Sequence, residues 1–490
     1  MDDGIYLHMA EKCELTRLKF LPLLLLLAPL PSHAASMSNT AEAMPPTAAA
    51  QTEIQLPSDT PYRYSPEPGE TQQTLIDPPA ILDIETAGTR AVESHPSVRQ
   101  AVRVLEQTSE NIDIAEAGYF PQVQGGFNTE YDQNMDRYNK RVVHKFQVSA
   151  TQMLYDFGKV SSSVDQAEAA SAAARARVLL AVDQVARETA LAFIEVQRYN
   201  ALEKIAEAQY KSVSALSDLV RERHRKGAGS LSDETQAQSR AESAQATLVE
   251  IQAQLQRWQS NLLYLTSMTS LADLKETIPA KFEGACSVGQ PDWQLLPEAL
   301  VAQAEREEAL AALDEANAQT LPTLSLEGTA ARALNAETYD NRQNDVTAMV
   351  NFSMPFYQGG ALQAQKRAAA NALSAAEEAI NHIRLTASQN LAETLSQALG
   401  YEQRSGLLAE RVESIELTRD LYKEQYLELG TRTLVDLLNA EQEYHQANIT
   451  RANNHYDLER MRMDCSYYAG QMREAFSLNG SVVAGVELQP

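Results

Sequence analysis

Apolar and polar side chains alternate most clearly at four places along the chain. Val123, Gly125, Phe127, Thr129 and Tyr131 share one face of an extended segment, with Gln122, Gln124, Gly126, Asn128 and Glu130 on the other. Phe146, Val148 and Ala150 alternate with Lys145, Gln147, Ser149 and Thr151, and Leu324 and Leu326 with Thr323, Ser325 and Glu327. Val346, Ala348, Val350, Phe352 and Met354 alternate with Thr347, Met349, Asn351 and Ser353. A period of two predicts four strands of about ten residues each. Elsewhere the pattern is helical. From Lys159 to Lys226, and from Gly360 to Leu429, the chain runs without a proline, and only Gly400 and Gly406 interrupt the second run. Each run predicts a helix roughly 100 Å long at about 1.5 Å per residue, which no compact domain accommodates. Both start rich in alanine (Ala167, Ala169, Ala170; Ala364, Ala368, Ala369), which lets neighbouring helices approach closely.

These elements occur twice. Tyr119-Phe-Pro121 matches Thr320-Leu-Pro322, and Leu154-Tyr-Asp-Phe-Gly158 matches Pro355-Phe-Tyr-Gln-Gly359, each pair 201 residues apart. A third pair lies 203 apart, Gly227 with Gly430 and Asp233 with Asp436. Three landmarks in one order at nearly constant offset predict an internal duplication. Each copy reads helix, strand, loop, strand, long helix, tip, helix. At the tips, Gly227 and Gly430 supply left-handed helix stops, and Ser230-x-x-Asp233 and Thr433-x-x-Asp436 supply start signals with an acid in the first turn. The chain thus divides into a signal segment (1–34), an acidic, Pro-rich leader (35–80), a first repeat (81–280) with its tip at 227–233, a second repeat (281–475) with its tip at 430–436, and a C-terminal tail (476–490).

The signal segment has Lys12, Arg17 and Lys19 before an apolar run from Phe20 to Leu30, then Ser32-His33-Ala34 for cleavage, with Met1 or Met9 as the start. That run is too short to span a bilayer. No Cys closely follows it, so lipid attachment at a processed N-terminal Cys is not expected. The leader has no sustained period, and order is expected from near Ile81.

Ten alternating residues are what a tilted strand needs to cross a bilayer with one face to lipid and one to water. An ordinary antiparallel sheet over a core is the alternative for the strands, and a coiled-coil rod for the helices. The rod explains neither the strands nor the duplication. Four lipid-facing strands leave edge backbone groups unpaired in hydrocarbon, at a cost of several kcal/mol each. The barrel must therefore close across subunits. Three chains would give twelve strands, so the expected fold is an α+β membrane protein, a trimeric β-barrel continued by a long α-helical barrel.

Mean hydropathy is −0.35 and no apolar run after the signal is long enough for a transmembrane helix, which suits such a barrel. The net charge of −25 makes nucleic acid a poor partner, whereas acids on a tube wall would favour cations in the lumen. Cys286 and Cys465, the two cysteines after the signal, can form one disulfide in an oxidising compartment. No H-E-x-x-H, G-x-S-x-G or G-x-x-x-x-G-K occurs, nor a Cys/His cluster with metal spacing, so neither enzyme activity nor a cofactor is expected. His95, before Pro96, reads as a residue of a helix start.

The second tip, Gly430-Thr-Arg-Thr-Leu-Val-Asp436-Leu-Leu-Asn439-Ala-Glu-Gln-Glu-Tyr444-x-x-Ala447, resembles that of the outer-membrane efflux protein family typified by TolC, and Pro355-Phe-Tyr-Gln-Gly359-Gly360 resembles its strand-to-helix junction. The resemblance covers about residues 81 to 475. It implies a homotrimeric exit duct in outer-membrane lipid that crosses the periplasm and works with a periplasmic adaptor (membrane fusion) protein and an inner-membrane ABC or RND transporter. It further implies a periplasmic gate at Asp436, with Asn439 where TolC carries a second acid, and a latch between Arg432 and Asp233. Leu427 occupies the position of the family's locking tyrosine, with Tyr426 one residue earlier. Protein export by type I secretion and drug efflux through an RND-type system both use such a pipe. The absent lipid-attachment Cys and the tip favour the former.

Overall fold

The computed structural model describes residues 81–131, 142–282, 284–287, 289–335 and 344–488. The expected signal segment and leader lie outside the described residues. A short strand β1 (Ile81–Leu82) leads into α1 (Ile84–Ser94), where the Asp83 carboxylate accepts a 2.7 Å hydrogen bond from the Thr86 amide. His95 does the same for α2 (Pro96–Glu116), its Nδ1 accepting from the Ser97 amide at 3.3 Å, while Pro96 fills a first-turn position that needs no donor. Then come β2 (Gln122–Tyr131), β3 (Val142–Tyr155), the 67-residue α3 (Lys159–Arg225) and α4 (Leu231–Thr266). After β4 (Asp273–Leu274), which pairs in parallel with β1, the series repeats as α5 (Pro297–Ala318), β5 (Thr323–Ala333), β6 (Asn344–Ser353), the 64-residue α6 (Ala361–Glu424) and α7 (Leu434–Tyr468). A π turn, Gln425–Leu429, ends α6 and has no counterpart in α3. A turn of helix, α8 (Met472–Ala475), and the hairpin β7 (Val482–Val483) and β8 (Val486–Glu487) follow.

The four long strands form one antiparallel sheet in the order β2-β3-β5-β6. Directly paired residues point to the same side, so the register decides which side chains share a face. Gly125, Val148, Ala330 and Val346 form one row across the sheet, and Gln124, Ser149, Thr329 and Thr347 form the next. Apolar and polar faces thus stay largely in phase across the four strands, with polar breaks on the apolar face where Arg332 and Asn344 align with Phe127 and Phe146 and where Gln152 aligns with Leu326 and Val350. Neither face is covered within the chain: all ten residues of β2 are exposed on both sides, and on the apolar side Phe127 is 61% exposed, Phe352 65% and Val346 78%. Among the described residues β2 and β6 each have one neighbour, leaving two free edges. β3 runs for 14 residues rather than ten, because it pairs with β2 from Val142 to Thr151 and with β5 from Lys145 to Tyr155, across a register shift between Met153 and Tyr155.

The main core lies midway along the long helices, away from the sheet. α1, the middle of α3, the end of α4 and the C-terminal segment bury Ile84, Val92, Phe193, Ile194, Leu262, Phe282, Met463, Phe476 and Leu488 together. Gly88 permits the closest approach, since a Cβ there would lie 2.4 Å from the Phe476 ring, itself edge-on to Phe282 at 5.4 Å. Residues 476–488 belong to this core, with Leu478, Val483 and Leu488 buried. In the same region Arg473 donates to Asp183 and to the Leu295 carbonyl, both at 2.7 Å. Burial pushes the Asp183 carboxyl up to about 7 against the pull of Arg473. Cys286 and Cys465 are joined as a disulfide that ties the segment between the repeats to the end of α7.

Candidate functional site

The tips of the two hairpins, α3–α4 and α6–α7, carry the residues singled out by sequence. At the first, Gly227 adopts φ +72°, where a side chain would be strained, and its amide donates to the His224 carbonyl at 2.8 Å. Ser230 then caps α4, its Oγ accepting from the Asp233 amide at 3.1 Å. At the second, Gly430 has φ +65° and closes the π turn. Thr433 and Asp436 form a reciprocal capping box, in which Thr433 Oγ1 accepts from the Asp436 amide at 3.2 Å and Asp436 Oδ2 accepts from the Thr433 amide at 3.4 Å.

Arg432 is held by its own hairpin. Its guanidinium lies 4.2 Å over the Tyr422 ring, its Nε donates to Gln425 Oε1 at 3.0 Å, and it stands 3.9 Å from the Asp436 carboxylate. Among the described residues no ion pair joins Arg432 to Asp233 of the same chain. They stand at the tips of different hairpins; the cap at the second tip ties down the Asp436 carboxylate, whereas at the first tip only the Asp233 amide takes part.

The contacts that hold the two hairpins together come from other residues. Arg240 of α4 donates from one nitrogen to Gln442 Oε1 and from another to Asn439 Oδ1 at 3.3 Å, so the second expected gate residue faces the first hairpin. Arg223 stacks over Tyr426 at 5.0 Å. Beneath them Val213, Val220 and Ala237 of the first hairpin bury Leu434 and Leu438 of the second. Sequence reasoning missed Arg223 and Arg240. The repeat offset of 203 aligns Arg240 with Glu443, not with Asn439, so comparing the copies does not reveal their contact. Tyr426, one place before the expected tyrosine position, was the one available signal. Among the described residues no group of three or more His, Cys, Asp and Glu side chains is placed to hold a metal ion.

The described sites therefore carry helix caps, stacking and hydrogen bonds at the mouth of two long hairpins whose other ends carry a sheet with free edges. The family model for outer membrane efflux proteins matches residues 88–266 and 296–463, one match per repeat. Nodulation protein T of Rhizobium leguminosarum bv. viciae is 22% identical over 373 residues, covering 74% of this chain and 76% of that protein. Outer membrane efflux protein BepC of Brucella suis is 23% identical over 373 residues, covering 74% of this chain and 79% of that protein. Among solved structures, the outer membrane protein VceC of Vibrio cholerae superposes with TM-score 0.69 at 18% identity, over 79% of this chain and 96% of that one. The open state of the MtrE outer membrane channel of Neisseria gonorrhoeae gives 0.63 at 17%, over 79% and 88%.

Proposed function

Because the chain belongs to the outer membrane efflux protein family, whose members are channels and not enzymes, we propose that it forms a homotrimeric exit duct gated at its periplasmic tips. The observation that carries this reading is the largely apolar face of a four-stranded sheet with two open edges, joined directly to two helical hairpins. An edge in hydrocarbon needs a partner strand, and β6 of one chain meeting β2 of the next supplies one at each of three seams. α6 supports the same assembly, since Leu385, Leu399, Leu407 and Leu417 along it are 54–67% exposed within one chain.

In the trimer, three copies of Asp436 converge on the axis at the narrow end, and Arg432, 3.9 Å away in each chain, offsets their repulsion. Arg240 and Arg223 hold the second hairpin inward against the first. Asp233 is free to meet Arg432 of a neighbouring chain and complete the latch. The duct supplies no energy, so a periplasmic adaptor and an inner-membrane ABC or RND transporter would drive it. Purified protein in planar bilayers should give discrete cation-preferring conductance steps, and a protein that inserts without conducting would end this reading.

For the cargo, the tip sequence from Gly430 to Ala447 supports protein export by type I secretion. The match to BepC, an efflux protein by name, favours small-molecule efflux as the second reading. Comparing secreted proteins and drug sensitivity in a deletion strain separates them. Loss of a large secreted protein with unchanged drug tolerance supports the first, and the reverse supports the second.

A further inference from the structure

The apolar face of the sheet carries one cation, at the end away from the helices. Phe127, Phe146, Arg332 and Asn344 lie side by side in the last row that runs through all four strands, and all four are exposed. Arg332 shares its side of β5 with Leu324, Leu326 and Ala330, whereas Glu327 and Thr329 stand on the other. Lys145, on the opposite face, pairs with Glu130. The Arg332 guanidinium meets no acid and no hydrogen-bond acceptor among the described residues.

A cation on a lipid-facing strand is costly at the bilayer midplane and tolerated near the interfaces, where a long side chain carries its charge out to the headgroups. The other end of the same face is the row of Tyr155, Leu324 and Phe352, next to the helices. From Leu324 to Arg332, β5 runs for about 26 Å and, tilted by about 40°, rises by about 20 Å. An outer-membrane barrel has an apolar band of about 25 Å with aromatic residues at both edges. With Tyr155 and Phe352 at the periplasmic edge, Phe127, Phe146 and Arg332 reach the outer one.

We propose that Arg332 binds a phosphate of the glycolipid that fills the outer leaflet, one site on each chain and three around the trimer. The inference rests on the exit-duct reading, which puts this face in lipid. A free guanidinium offers a planar fork that meets two phosphate oxygens at once. Asn344, directly paired with Arg332 and so about 5 Å away, adds an amide donor, while Phe127 and Phe146 give the lipid an apolar wall on the other side. The periplasmic row of Tyr155, Leu324 and Phe352 carries no cation. The charge therefore stands only at the edge where phosphorylated glycolipid, and not phospholipid, forms the leaflet.

The test titrates the trimer, delipidated in a non-ionic detergent, with bisphosphorylated lipid A and counts bound molecules by native mass spectrometry. Up to three should bind per trimer, at least about tenfold more tightly than dephosphorylated lipid A or phosphatidylglycerol. Arg332→Gln should remove that preference. Arg332→Lys should keep part of it, because the charge stays and the fork is lost, and Arg103→Gln on the exposed side of α2 should keep all of it. Equal affinity for the phosphorylated and dephosphorylated probes, phosphatidylglycerol binding as tightly, or an unaltered preference in Arg332→Gln overturns the site. If Arg332→Gln yields no trimer, the three probes compared on the native protein and on Arg332→Lys decide. A heat-modifiable, conducting trimer without the preference loses the site and keeps the duct, whereas a native protein that forms no such trimer loses both.

Discussion

At the scale of single residues, the second tip uses one short pattern for two purposes. Thr433 and Asp436 cap α7, and the same carboxylate stands 3.9 Å from Arg432. A cap alone is worth about 0.5–2 kcal/mol and would be confined to stability. A gate role adds a second readout, because removing a ring of charge, or the cation that offsets it, loosens the closed end. Asp436→Ala and Arg432→Ser should each raise single-channel conductance in planar bilayers, and unchanged conductance would leave only the capping role. Arg240→Ala removes the contacts to Asn439 and Gln442. Exposed polar pairs contribute roughly 0.2–1 kcal/mol, so it should shift the closed–open balance by up to about fivefold, less than the ring substitutions. The stops at Gly227 and Gly430 and the caps at Ser230 and Thr433 were legible in the sequence because each is a signal within three or four residues. Arg240 and Asn439 are 199 residues apart and no local period records their meeting.

At the scale of elements, α3 and α6 hold equivalent places in the two repeats and are similar in length, 67 and 64 residues, but have different surroundings. α3 buries residues against α1, α2, α4, α5 and α7, whereas α6 buries only Ala387, Leu391, Thr394, Ala398 and Val412 within the chain. Proline-free length and alternation made the helices and strands readable. The packing between the repeats was not, because its key contacts join distant segments through buried charge. Arg473 and Asp183 are 290 residues apart and at most 2% exposed. Arg473→Ala leaves the buried Asp183 carboxyl without its cation and should cost up to about 3–5 kcal/mol at a pH high enough to keep it ionised, less where it takes up a proton, seen as a lower temperature of trimer dissociation, while Asp183→Leu with Arg473→Met should recover most of it. A carboxyl raised to about 7 by burial contributes stability that is present below the ordinary carboxylate range and lost as pH rises through about 7. The double variant should therefore flatten the loss of stability between about pH 4 and 7. The disulfide closes a loop of 179 residues that holds nearly the whole second repeat, worth about 5 kcal/mol on chain entropy alone. Cys286→Ser with Cys465→Ser should lower the dissociation temperature without altering conductance, and an unaltered temperature would show that the packing around Arg473 and Phe476 suffices.

At the scale of the whole molecule, everything depends on which side of the sheet meets lipid. Alternation in one strand is also compatible with a sheet over a core. What decides is the register, which sequence did not supply: it carries Gly125, Val148, Ala330 and Val346 in one row and Gln124, Ser149, Thr329 and Thr347 in the next. Because both faces are uncovered and both edges open, the chain completes its backbone pairing only in company. It should migrate as a trimer on unheated SDS gels and as a monomer after boiling. Neighbouring residues on β3 give the sharper test, since Val148 and Ser149 lie next to each other on opposite faces of an inner strand. An arginine facing lipid near the bilayer midplane costs about 2–4 kcal/mol, whereas one in a water-filled lumen costs little and repels cations. Val148→Arg should cut the yield of heat-modifiable trimer, and Ser149→Arg should keep the trimer and move its ion preference toward anions. If the two substitutions behave alike, or if Ser149→Arg is the one that abolishes the trimer, the apolar row does not face hydrocarbon, and the closure of β2 against β6 between chains loses its physical reason.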